Sequence, residues 1–360
     1  MRILFFVQGE GKGHLTQALA VYKILKEDGH TIPEIVIGKV RWRAIPPFFL
    51  KSADTDIGNY ATPELYYGRD NRKLSVIKTI LFNLNPLKIY SYWSSLRYIR
   101  SVIRSNKPDL IINFYEPLFG IYALIYKPDV KIVSIANQFM IFAKGSSYGE
   151  GISGTQSIRF LSAICKMRSN LTLALAIYPW SRHNKAFKVI PPVLREDVLK
   201  LKPYDGGYLL CYVLNAGFAD DIIKWHNENQ NVIIHVFRDD PQNSDIVIYN
   251  KNLYFHPIDG KEFLKYLEGC SGLLSTAGFE AICEAAFLEK PVLMTPAHLE
   301  QEINANEFAR RDMGIISDEL NPSLLINYIK RKKGASKDNS GYKNRILGAE
   351  KALLDAVNSV

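Results

Sequence analysis

Cysteine is scarce in this 360-residue chain. Four are present, Cys165, Cys211, Cys270 and Cys283, with no Cys-x-x-Cys spacing. Such a set fits neither a disulfide frame nor a zinc site, and reads as small buried apolar residues in a reducing compartment. Long apolar runs are missing too. The longest candidate, residues 110–126, is broken by Glu116-Pro117 and falls short of the ~18–20 clean residues a spanning helix needs. The run 3–7 is too short for a secretory signal and is followed by glycines with Glu10 and Lys12. The expectation is a cytoplasmic protein that works, if it meets a bilayer, at the inner face. No Gly-x-Ser-x-Gly elbow, His-Glu-x-x-His helix or short-period repeat occurs, so hydrolase and metalloprotease chemistry has no support.

What the chain does have is enough apolar residue, 47% against 22% charged, for two domains with real cores. Charge is divided unevenly. Residues 1–190 carry 26 Lys+Arg against 12 Asp+Glu, whereas 191–360 carry 19 against 24. A basic first half suits an anionic partner: a phosphate-bearing acceptor, a membrane surface or nucleic acid. Residues 73–107 read as a long helical region mixing Tyr90, Tyr92, Trp93 and Tyr98 with Lys78, Lys88, Arg97, Arg100 and Arg104. With residues 39–51 (Trp42, Phe48, Phe49), it is either a lipid-facing surface or a packed face beside a solvated one.

Apolar runs at 2–7, 34–37, 110–113 and 131–135 alternate with helical spacing such as Leu15, Leu19, Tyr22 and Leu25. The second half repeats this with strands at 208–214, 232–237, 253–256 and 272–275. The expected class is α/β: parallel sheets with helices on both faces. Proline and glycine clusters at 189–192 and 203–207 mark an interdomain linker. The expected division is 1–188, a linker 189–206, a second domain 207–330, and a polar segment 331–360 ending in a helix.

Gln8-Gly-Glu-Gly-Lys-Gly-His14 falls where strand one meets helix one. It is neither a dinucleotide fingerprint, since His14 stands where glycine is needed, nor a P-loop, since Lys12 precedes Gly13. Gly11 and Gly13 let the backbone approach a ligand, and His14 at a helix start should be a neutral imidazole. Asn113-Phe-Tyr-Glu116-Pro117 lies at a strand's carboxyl end, where open α/β sheets place ligands, so Glu116 is a candidate general base. Gln138 would line the same cleft. Asp54-Thr55-Asp56 spells the Asp-x-Asp of metal-dependent transferases without supporting pattern, and no metal is expected.

The densest signal is residues 275–308. A small-residue turn, Thr276-Ala277-Gly278-Phe279, opens a helix carrying Glu280 and Glu284; Pro291 and Pro296 bracket a short strand; Glu300-Gln301 and Asn304-Ala305 follow. Such a turn presents amides to a diphosphate. This spacing resembles the donor-binding signature of two-domain GT-B glycosyltransferases, in particular the MurG-like UDP-N-acetylglucosamine transferases and their uncharacterised relatives. The resemblance implies two Rossmann-like domains facing across a cleft, and metal-independent, inverting transfer from a UDP-sugar to an acceptor hydroxyl. It implies no cofactor beyond the nucleotide-sugar donor, a glycan or lipid-linked acceptor, contact with an anionic membrane, and no nucleic acid. It assigns the donor to Thr276–Phe279, Glu284 on the ribose, Glu300 and Gln301 on the sugar, the backbone beside Ile258 on the base, and Asn215 in a second-domain loop. It makes His14 or Glu116 the base, with Gly11, Gly13 and Gln138 in the cleft, and it packs the last helix back on the first domain. Two other readings stay open: a UDP-sugar 2-epimerase of similar fold, and a basic nucleic-acid-binding protein supported by charge alone.

Overall fold

The computed structural model describes residues 1–40, 44–64, 76–180, 184–213, 217–238, 245–332 and 340–360. Asn215 and Trp42 lie outside these residues. The chain folds into two seven-stranded sheets, each covered by helices on both faces.

The first sheet holds β1 (Ile3–Gln8), β2 (Glu34–Lys39), β3 (Asp56–Ala61), β4 (Leu110–Phe114), β5 (Lys131–Ala136), β6 (Leu171–Leu175) and β7 (Phe187–Ile190), all parallel, in the order β3-β2-β1-β4-β5-β6-β7. The second holds β8 (Tyr208–Val213), β9 (Ile233–Arg238), β10 (Val247–Asn250), β11 (Leu253–Pro257), β12 (Gly272–Ser275), β13 (Val292–Met294) and β14 (Ile315–Ile316), ordered β10-β11-β9-β8-β12-β13-β14. Only the edge strand β10 runs antiparallel. In each sheet the order reverses beside the first strand, between β1 and β4 and between β8 and β12. That crevice is where doubly wound sheets hold ligands.

The first domain's helices are α1 (Lys12–Glu27), α2 (Pro47–Ser52), α3 (Val76–Asn83), α4 (Pro86–Asn106), α5 (Pro117–Tyr126) and α6 (Thr155–Cys165), with a 3-10 turn at Asn137–Phe142. The region expected as one helix over 73–107 is two. Pro86 cannot continue a preceding helix, and the Asn85 side chain caps the new one by accepting from Leu87 N–H at 2.9 Å. After α7 (Glu196–Leu199) come α8 (Gly217–Glu228), α9 (Gly260–Gly269), α10 (Phe279–Phe287), α11 (Leu299–Ala309), α12 (Pro322–Lys332), α13 (Ser340–Leu347) and α14 (Ala349–Val357).

The first sheet runs on to Ile190, two residues past the expected boundary. Val193 then packs in the first core and Leu194 in the second, so the chain crosses between those residues. It crosses back at the end. Tyr342 and Ile346 of α13 pack on the second core, while Leu353, Ala356 and Val357 of α14 pack on the first, with Gly348 between. Among the described residues no helix is long and apolar enough to cross a membrane.

Candidate active site between the two sheets

β1 delivers the chain into α1 through a turn that needs glycine at one place. A Cβ on Gly9 would lie 2.7 Å from the Gly38 carbonyl oxygen, which already accepts the Gly9 N–H at 2.9 Å. Gly11 is the N-cap of α1 and supplies no side-chain acceptor to the first turn. Gly13 allows close approach of the other domain: a Cβ there would sit 3.6 Å from Glu280 Cγ. His14 follows, half-buried, its ring stacked on Tyr115 at 5.5 Å and its Nε2 3.5 Å from the Gln138 amide nitrogen. Burial pulls its pKa down to about 4, so at neutral pH the imidazole is uncharged.

The turn after β4 is closed. Asn113 accepts from Glu116 N–H at 2.9 Å and donates to the Cys165 carbonyl at 2.6 Å, and Tyr115 between them is left-handed, at φ 55°. Glu116 is fully buried as the N-cap of α5. One carboxylate oxygen accepts from Phe119 N–H at 2.6 Å and the other from the Thr62 hydroxyl. Desolvation raises its pKa, opposed by those hydrogen bonds. The expectation of a base reaching into the cleft is corrected here: both oxygens are taken inside the first domain and none faces an acceptor.

The corresponding turn after β12 is open. Ala277 is left-handed at φ 63° with its methyl buried in the second core, and Gly278 is an N-cap without a side-chain acceptor. Gln301 braces the turn, donating to Thr276 Oγ1 at 3.2 Å while its Oε1 accepts from Ala297 N–H at 2.9 Å. Asn304 donates to the Ala277 carbonyl at 3.2 Å and accepts from Asn137 across the cleft at 3.0 Å. Phe279 is half-buried against both cores. Glu300 is half-buried. Burial lifts its pKa, and hydrogen bonds from Gln138 and Asn304 hold it down. Gln138 thus links Glu300 to His14, one residue from each side of the cleft.

Glu284 was expected to offer an open carboxylate. Instead it is 1% exposed and gripped by Arg195, whose Nε and Nη2 donate to Oε1 and Oε2 at 2.8 Å each. Burial raises its pKa and Arg195 opposes the rise. A third nitrogen of Arg195 donates to the Gly260 carbonyl at 3.2 Å, two residues past the half-buried Ile258. One guanidinium from the linker therefore ties Glu284 to the loop beside Ile258. Glu280, a turn earlier on α10, accepts from Gln17 of α1 at 3.0 Å; burial, aided by the Glu284 charge, lifts its pKa to about 8.

Gln17 and Arg195 are the site residues the sequence reading missed, and Glu280 was placed on the signature helix without a role. Gln17 lies one helical turn beyond His14, and Arg195 is the first base of the proline-rich linker; those two positions were the available signals. Asp54 lies just before β3 and Asp56 is its first residue, at the amino edge of the sheet, opposite the cleft. Among the described residues no group of three or more His, Cys, Asp and Glu is placed to hold a metal ion.

Two doubly wound, mostly parallel α/β domains joined by a short linker are the architecture of the GT-B class of glycosyltransferase. A family model described as glycosyl transferase family 1 matches residues 1–332, and the chain belongs to that family. No curated protein matches it. The solved structures it resembles agree in fold. The calicheamicin glycosyltransferase CalG4 is 17% identical, with a TM-score of 0.60 over 100% of this chain and 98% of that one. MurG of Acinetobacter baumannii is 15% identical, with a TM-score of 0.57 over 100% of both chains. The spinosyn rhamnosyltransferase SpnG, solved with thymidine diphosphate, is 12% identical, with a TM-score of 0.55 over 100% and 96%.

Proposed function

We propose that this glycosyltransferase moves a sugar from a nucleoside-diphosphate sugar, taken here as a UDP-sugar, to a hydroxyl of an amphipathic acceptor, with inversion and without a metal. The diphosphate lies at the start of α10, where uncapped amides and the helix dipole meet the charge that grows on the leaving group. His14 takes the acceptor proton. Its place is the observation that carries this reading: at the start of α1, stacked on Tyr115, with Nε2 3.5 Å from Gln138, which bonds Glu300 of the second domain. Glu284, both oxygens held by Arg195, ties the linker to the donor domain instead of meeting the ribose, and the backbone beside Ile258 reads the base. Glu300 faces the sugar from α11, and Gln301 braces the turn beside it.

The acceptor side carries a second observation. Between α3 and α4 the apolar side chains of Leu81, Leu84, Leu87 and Tyr90 are 66, 61, 81 and 75% exposed. This knuckle sits on the carboxyl edge of the first sheet: Thr62 touches Glu116, and Glu64 holds Asn83 and Lys88. We read it as resting on an anionic membrane at its cytoplasmic face, from which a lipid-linked acceptor would enter.

The test is ligand-induced thermal stabilisation with UDP, ADP, GDP and CMP, followed by turnover of a UDP-sugar. A ligand at ~100 times its dissociation constant adds about 2.7 kcal/mol. UDP should give the largest shift. Equal shifts with all four would remove the donor assignment, and release of the 2-epimer from the sugar nucleotide alone would identify an isomerase.

A further inference from the structure

The second sheet ends on β10, and nothing in the donor or acceptor reading uses that edge. Ile246, Val247, Ile248 and Tyr249 are consecutive large apolar residues, and all are exposed, Ile246 by 53% and Ile248 by 67%. Surfaces rarely leave four such residues in a row uncovered without a use, and an open strand edge is a template for another strand. We propose that this edge pairs antiparallel with the same edge of a second copy of this chain, joining the two second-domain sheets across a twofold axis through Ile248.

The sequence of the edge selects that occupant. In an antiparallel self-pairing centred on Ile248, Val247 faces Tyr249 of the other copy, an aliphatic–aromatic cross-strand pair. Asp245, just before β10, then comes near Lys251 in the turn just after it, and symmetry supplies that charge pair twice, once at each end. Ile246 faces Asn250, a pair that neither adds nor opposes. Shifting the register by two residues would place Asp245 opposite Tyr249 and lose the charge match. Both charged residues are exposed, so the pairing desolvates them little. The β10–β11 ladder is irregular between Ile248 and Asn250, which keeps the regular edge short. The dimer is therefore a weak one, at the small end of interface sizes, below about 1,200 Å².

Sedimentation of the full chain across a range of concentrations should show a reversible monomer–dimer equilibrium. Ile248→Lys puts a charge at the axis and should leave monomer only, with the thermal midpoint unchanged. Asp245→Lys and Lys251→Asp each set like charges opposite and should weaken the dimer roughly five- to thirtyfold. The double exchange D245K/K251D should restore it, which no loss of folding could imitate. A chain that stays monomeric at every concentration overturns the proposal. So does a dimer indifferent to Ile248→Lys, or single charge variants that the double exchange does not rescue.

Discussion

The two sheets solve the same local problem in opposite ways. β4 and β12 occupy equivalent places, each beside the first strand of its sheet, and each ends in a turn with a left-handed non-glycine residue, Tyr115 or Ala277, just before a helix N-cap. After β4 the N-cap is Glu116, whose carboxylate closes the helix start from within. After β12 the N-cap is Gly278, and the helix start is left without a side-chain partner. The Glu116 carboxyl fills the first helix start, so of these two turns the second is the one whose amides are left for an anion. The first turn serves another purpose: Tyr115, held by its hydroxyl against Ser162 at 2.8 Å, is the plate on which His14 stacks.

The largest effect should come from His14, the proposed base that this plate supports. If His14 takes the acceptor proton, His14→Ala should lower turnover about 10²–10⁴-fold while the UDP thermal shift stays. The pH profile adds a sharper check. Burial holds the folded pKa at about 4, below the ordinary 6.5, so the reactive neutral form persists as pH falls through 6.5 and is lost only near 4. An acid limb near 6.5 in kcat/KM, which reports the free enzyme, would argue against His14 as the essential group.

Next in size is the ion pair under the open turn. Arg195→Ala leaves Glu284 buried and uncompensated, which should cost about 3–5 kcal/mol in urea unfolding. The loss should deepen with rising pH, because without the guanidinium the carboxylate must ionise in an apolar site. The double variant R195A/E284Q should recover part of it. If R195A unfolds like the parent chain, the buried pair does not hold the linker to the donor domain.

The comparison itself can be reversed at Gly278. A Cβ there meets no atom within 4 Å, and the backbone angles, φ −61° and ψ 128°, suit aspartate. Gly278→Asp would give α10 the closed form of α5. Stability should rise by a few tenths of a kcal/mol or hold, whereas UDP affinity should drop by about 10²-fold, the loss of one or two charge-assisted hydrogen bonds. Undiminished UDP binding by this variant would show that the diphosphate lies elsewhere.

Much of this was legible before any coordinates. Buried parallel strands announce themselves as continuous apolar runs, and the 275–308 segment marked the strand–turn–helix after β12 because residue type and spacing agree along one stretch of chain. Edge strands were not legible: β3 reads Asp-Ile-Gly-Asn-Tyr-Ala and carries no run, since half of it meets solvent. The Arg195–Glu284 pair spans 89 residues, and local pattern says nothing about partners at that distance. Glu116 failed for a subtler reason. A carboxylate at the end of a strand and the start of a helix can face the cleft or turn back to cap the helix. That choice was made by Thr62 and by Gly38, where a Cβ would fall 2.5 Å from the Glu116 carboxylate.

The smallest predicted effect decides that last point. Glu116→Gln keeps an oxygen to accept the Phe119 N–H and keeps the volume beside Gly38, but removes any capacity to take a proton. The neutral amide should change stability by no more than about 1 kcal/mol, because the weaker cap is offset by relief of the buried charge. The pH dependence of that change has a definite sign. Burial raises the carboxyl's folded pKa above its ordinary value, so ionisation opposes folding, and the stability of the parent falls relative to the variant as pH rises through that interval. Turnover per folded molecule should be unchanged. A collapse of kcat in E116Q, with the fold intact and UDP still bound, would return the proton to the first turn and leave His14 a positioning residue.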